Sequence, residues 1–81
     1  GNSLIKGFVS DSKGNALSDV EISIIGRTEK TLTTSGGTFF LGIKEYQNSS
    51  LRIRAFKNGY KSWNEYVDIP SENIIIRLEK N

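Results

Sequence analysis

The chain has 81 residues, 36% of them hydrophobic, with eight glycines, one proline and neither cysteine nor histidine. That inventory excludes a disulfide framework and a Cys/His zinc site, and it removes every Ser–His or Cys–His nucleophile pair. Eleven basic against nine acidic residues leave a net charge of +2 without a long like-charge block, and the unbroken apolar run Ile74-Ile75-Ile76 is far too short to cross a bilayer.

Gly1-Asn2-Ser3 reads as an expression scar or linker, and residues 4–81 as one excised domain. A chain this short buries only about 60–65% of the surface its unfolded form exposes, so its stability must come from strand pairing and a small apolar interior. Leu4 to Ser10 is the first predicted strand, closed by Asp11-Ser12-Lys13-Gly14-Asn15, which can form an Asx-turn with a glycine at positive φ. Val20, Ile22 and Ile24 alternate with Glu21 and Ser23 and predict a half-buried strand that stops at Gly26. Lys30 to Thr34 is a threonine-rich strand, and Ser35-Gly36-Gly37 turns the chain into Thr38 to Ile43.

A polar loop over Lys44 to Ser50 leads to Leu51, Ile53 and Ala55, which alternate with Arg52 and Arg54. Asn58-Gly59 predicts a type I′ hairpin turn, followed by a strand from about Lys61 to Ile69 that ends at Pro70. Ser71-Glu72-Asn73 can hold one helical turn at most, and Asn73 to Glu79 is the last strand. Short strands with turn residues every 8–12 positions predict an all-β, seven-stranded antiparallel or mixed sandwich. Its expected core is Val9, Val20, Ile22, Ile24, Phe39, Leu41, Leu51, Ile53, Trp63, Val67, Ile74, Ile76 and Leu78. The same alternation turns Leu4, Phe8, Ile25, Phe40, Phe56 and Ile75 outward, enough apolar surface to suggest a docking face.

Several motifs fall in a familiar order. Ile5-x-Gly7-x-Val9 precedes Asp11-x-x-Gly14-x-x-Leu17-x-x-Val20-x-Ile22, then Thr33-x-x-x-Gly37-x-Phe39-x-Leu41, then Leu51-x-Ile53 and Gly59-Tyr60. From about Leu4 to Leu78 the chain resembles the carboxypeptidase regulatory-like domain. That resemblance implies a transthyretin-like (prealbumin-like) sandwich of bacterial exported proteins, with carboxypeptidase chemistry confined to a separate zinc domain. Thr34 and Gly36 depart from the family, whose members often carry an acidic residue and Asp or Asn there. Gly14, Gly37 and Gly59 read as turn glycines whatever the family, and Gly7, inside a strand, reads as a bulge or a close approach by a neighbour.

No catalytic constellation emerges. Asp11, Asp19, Glu21, Glu45, Glu65, Asp68 and Glu72 show no spacing that singles out an acid–base pair. Asp11, Asn15 and Asp19 carry oxygens suited to calcium, but a plain Asx-turn accounts for them, so no metal and no cofactor are expected. Tyr46, Tyr60 and Tyr66 are candidate glycan-stacking rings, while Trp63 shares the core face of Val67 and Ile69. Arg52, Arg54, Lys57 and Lys61 interleave with Phe56 and Tyr60, but solubility and edge protection explain them better than nucleic acid. The candidate docking face is Phe8, Phe40 and Phe56 with Arg52 and Arg54. The expectation is a non-catalytic module of an exported or cell-surface bacterial protein that positions or docks neighbouring domains without entering a membrane. The alternative is an accessory carbohydrate-binding domain.

Overall fold

The computed structural model describes residues 3–44 and 49–81. Among them are seven strands: β1 (Ser3–Asp11), β2 (Glu21–Ile24), β3 (Lys30–Leu32), β4 (Thr38–Ile43), β5 (Ser49–Phe56), β6 (Trp63–Ile69) and β7 (Ser71–Leu78). They form a three-stranded sheet ordered β4-β1-β7 and a four-stranded sheet ordered β3-β2-β5-β6. β1 runs antiparallel to β4 and parallel to β7, so the first sheet is mixed, and every pairing in the second is antiparallel.

The period-2 pattern explains which face each strand buries. In β4, Phe39, Leu41 and Ile43 are buried while Thr38, Phe40 and Gly42 are exposed; in β7, Ile74, Ile76 and Leu78 are buried and Ile75 and Arg77 exposed. Ile5 and Val9 supply the centre from β1, and Ile22, Ile24, Ile53 and Ala55 face them from the other sheet. Leu17, Ile43 and Ile69 also join the core. Leu51, Trp63 and Val67 pack against its margin instead, the last two because β6 is an edge strand.

Gly7 shows what the strand interior required. It faces Phe39 across the β1–β4 ladder, and a Cβ there would lie 2.6 Å from the Phe39 ring and collide with the Ile74 carbonyl oxygen. The β1–β7 register slips at the same point, between Ile5 and Gly7. The missing side chain is therefore the space that Phe39 occupies.

The turns are built from local donors. Asp11 accepts the amide protons of Lys13 and Asn15 on Oδ1 and the Asn15 side-chain amide on Oδ2. Gly14, Gly37 and Gly59 take φ of 88°, 80° and 90°. At Gly37 a second constraint applies, because a Cβ would lie 2.6 Å from the Val9 carbonyl oxygen.

Four local expectations change. Asn58 does not have the positive φ of a type I′ turn; the Tyr60 amide donates to the Lys57 carbonyl around a turn with Gly59 alone at positive φ. The strand after that turn starts at Trp63 rather than Lys61, because Lys61 pairs with the far end of the chain, donating its N–H to Glu79. Ser71-Glu72-Asn73 is extended and belongs to β7. β3 ends at Leu32, since Thr33 is drawn inward: its hydroxyl donates to the Leu17 carbonyl at 2.6 Å and accepts the Val20 amide at 2.9 Å.

Candidate docking surface

Two sheets packed face to face leave two outer faces on opposite sides of the molecule. On the three-stranded sheet, β1 presents Lys6 and Phe8 outward, flanked by Thr38 and Phe40 of β4 and by Ile75 of β7. The register explains this grouping, since Lys6 lies opposite Phe40 and Phe8 lies between Thr38 and Ile75. Phe40 and Ile75 are each 63% exposed and Phe8 is half-buried. Together with Glu72 and Asn73 they line a shallow depression of about 400 Å³. Lys6 is the charged member of the patch. Its Nζ lies 5.9 Å from the Phe40 ring centroid and 3.6 Å from a Glu72 carboxylate oxygen, while the side chain keeps substantial exposure.

On the four-stranded sheet the outward row runs from Glu21 to Phe56, from Ser23 through Arg54 to Asn64, and from Arg52 to Tyr66. The Arg54 guanidinium stacks on Phe56 at 4.6 Å from the ring centroid and donates to the Ser62 hydroxyl at 3.4 Å. Phe56 is therefore a ring covered by its own arginine, and its exposure is only 36%.

The five residues expected to form one docking face are thus divided. Phe8 and Phe40 stand on the three-stranded sheet; Phe56, Arg52 and Arg54 stand on the four-stranded sheet. Each lies on the outward side of its strand, as alternation requires, but alternation does not say to which sheet a strand belongs. Ile75 was expected to face outward as Phe40 does, whereas Thr38 was not singled out as a neighbour of either. Only the pairing register, not spacing along the chain, brings these side chains together.

The two described candidate tyrosines differ in setting. Tyr60 is half-buried against the core and bridges to Lys80, whereas Tyr66 stands 72% exposed on the four-stranded sheet opposite Arg52. Tyr46 lies outside the described residues.

A second polar cluster ties the β2–β3 turn to the end of β4. Arg27 makes a two-pronged contact with Glu29 at 2.9 and 3.0 Å and donates to the Lys44 carbonyl at 2.7 Å, while the Lys44 amide donates to Glu29 at 3.2 Å. The Arg27 guanidinium, helped by backbone amides, holds the Glu29 carboxyl down at about 2 from its ordinary 4.5. Asp11 is likewise lowered, chiefly by the Asn15 amide. Both carboxylates have their oxygens occupied by N–H donors of their own neighbourhood. Among the described residues no group of three or more His, Cys, Asp or Glu side chains is arranged to hold a metal ion.

No protein-family model matches the chain, and no curated protein does either. Solved structures do match it. An interface mutant of a type II cohesin–X-dockerin complex from Acetivibrio cellulolyticus superposes with a TM-score of 0.75 at 14% identity, covering 96% of this chain and 58% of the other. The 3-chlorocatechol 1,2-dioxygenase of Rhodococcus opacus 1CP gives 0.75 at 17% identity, over 99% of this chain and 60% of the enzyme. BcpA, the major pilin subunit of Bacillus cereus, gives 0.66 at 8% identity, over 100% of this chain and 30% of the pilin. The chain is a β-sandwich module of the kind found in these proteins, and it spans no more than 60% of their length. Identities this low speak for the fold alone.

Proposed function

We propose that this chain is a non-catalytic interaction module of a larger exported or cell-surface bacterial protein. On this reading it is a transthyretin-like sandwich of the carboxypeptidase regulatory-like kind, and its three-stranded sheet docks a neighbouring domain of the same parent chain. The observation that carries the reading is the patch of Phe40, Ile75 and Phe8 around Lys6, two of its hydrophobic side chains being 63% exposed. Exposed aromatic and aliphatic groups gathered in one patch mark an interaction surface, and the apolar stem of Lys6 extends that patch while its ammonium stays at the rim. The solved chains of similar fold support an intramolecular partner, because in each of them a sandwich of this size is only part of a longer polypeptide. The residue inventory supports the non-catalytic role: without histidine or cysteine, and with Asp11 and Glu29 saturated by N–H donors, no nucleophile–base pair is at hand.

Titration of the separately produced adjacent domain tests the proposal. Phe40→Ser and Ile75→Ser remove exposed side chains, so the fold should survive while affinity falls about tenfold or more for each. Tyr66→Ser, on the opposite face, should leave affinity unchanged. Equal affinities for all four proteins would overturn the docking face.

A further inference from the structure

The first and last strands lie side by side and run in the same direction. β1 is the middle strand of its sheet, between β4 and β7, while β7 is an edge strand joined in its sheet to β1 alone. From Gly7 to Asp11 the first strand pairs residue for residue with Ile74 to Leu78. Ser3 therefore lies at one end of this parallel ladder and Leu78 at the other.

The direction of the backbone groups shows which residues hold the two strands together. Val9 donates its N–H to Gly37, on the β4 side, and accepts from Leu17 there, so Phe8 and Ser10 turn their backbone groups to β7. Glu79 gives its carbonyl to Lys61, away from β1, so Ile74, Ile76 and Leu78 turn theirs to β1. These five residues form one evenly spaced run of slanted bonds. The side chains of Ile74, Ile76 and Leu78 are also buried in the core, which anchors β7 from its inner face.

We infer that the module is a tension-bearing link, built so that a pull along the polypeptide loads the β1–β7 ladder in shear. A chain that enters at β1 and leaves after β7 pulls the first strand toward Ser3 and the last toward Leu78. Both pulls lie along the strands and in opposite senses, so the ladder bonds carry the load together. Antiparallel terminal strands would leave the sheet at the same end, and their bonds would open one at a time. The load path continues past Leu78. Lys61 donates its N–H to the Glu79 carbonyl at 2.8 Å, Asn81 donates to the Gly59 carbonyl at 3.0 Å, and the Lys61 ammonium lies 3.9 Å from the Glu79 carboxylate. At the other end, Ser3 to Phe8 are held by their ladder with β4. The inference rests on the proposed place of the module in a longer exported chain and is independent of the docking face. A titration of domains tests the one and a mechanical measurement the other.

Single-molecule force spectroscopy reads the lifetime of the folded chain under constant force. The chain lacks cysteine, so Ser12→Cys supplies a unique attachment point. Ser12 is exposed and follows β1 at the Leu78 end of the ladder, so a pull between it and a C-terminal handle opens β1 from β7 bond by bond. Both geometries, end to end and Ser12 to C-terminus, are applied to the same Ser12→Cys protein, which makes its thermodynamic stability common to the two. At a given force the end-to-end lifetime should be at least about tenfold longer, because several hydrogen bonds worth a few-fold each must break at once. Equal lifetimes, or a longer lifetime for the Ser12 geometry, would overturn the inference.

Discussion

Thr33 is a single buried hydroxyl on which an irregular segment depends. It satisfies the Leu17 carbonyl and the Val20 amide at once, and its own backbone exchanges bonds with Asp19 and Val20. Thr33→Val keeps the shape and deletes the hydroxyl, leaving a buried N–H without its acceptor. Chemical denaturation should show a loss of about 1–3 kcal/mol, with Thr33→Ser recovering most of it; equal losses for both would assign the effect to the methyl group. Gly7 makes a complementary case. A methyl there meets the Phe39 ring and the Ile74 carbonyl, so Gly7→Ala should cost about 1–3 kcal/mol, measured in the same way. Phe39→Ala, which empties the space instead, should cost about 3–5 kcal/mol. The need for glycine at position 7 was legible from its place inside an alternating strand. The role of Thr33 was not, because a threonine in a polar, threonine-rich stretch carries no sign of being turned inward.

At the scale of elements, alternation was enough to separate inward from outward residues in β4, β5 and β7. It could not say which strands share a sheet. Phe40 and Phe56 both follow an inward residue and look equivalent in sequence, yet they end on opposite faces because β4 joins β1 and β5 joins β2. Sheet membership is decided by long-range pairing, and the parallel β1–β7 contact links the two ends of the chain. The Arg27–Glu29–Lys44 clasp escaped sequence reading for the same reason, since it joins groups up to seventeen residues apart through a backbone carbonyl and amide. Its consequence is a pH dependence. A carboxyl whose pKa is lowered on folding from 4.5 to about 2 contributes stability that is fully present above pH 4.5 and lost as pH falls toward 2. Glu29→Gln should therefore lower stability at neutral pH and flatten the acid limb of a stability–pH curve between those values. Part of that limb should persist, because Asp11 is lowered in the same direction. An acid limb identical in Glu29→Gln and the parent chain would show that the clasp contributes nothing.

The whole molecule is a small sandwich whose stability rests on one core of buried aliphatic residues and Phe39, with neither disulfide nor cysteine/histidine metal site to reinforce it. Its two outer faces differ in how their hydrophobic groups are kept. On the four-stranded sheet, Arg54 lies over Phe56; on the three-stranded sheet, Phe40 and Ile75 stand open beside Lys6. The central claim, that the three-stranded face is the one occupied in the parent protein, is tested most directly by oxidative footprinting of side chains. The domain is compared alone and within the longer chain proposed to contain it. The account predicts that Phe40 and Ile75 lose reactivity in the parent while Phe56 and Tyr66 react as in the isolated domain; unchanged reactivity at Phe40 and Ile75, or protection of Phe56 and Tyr66 instead, would contradict it.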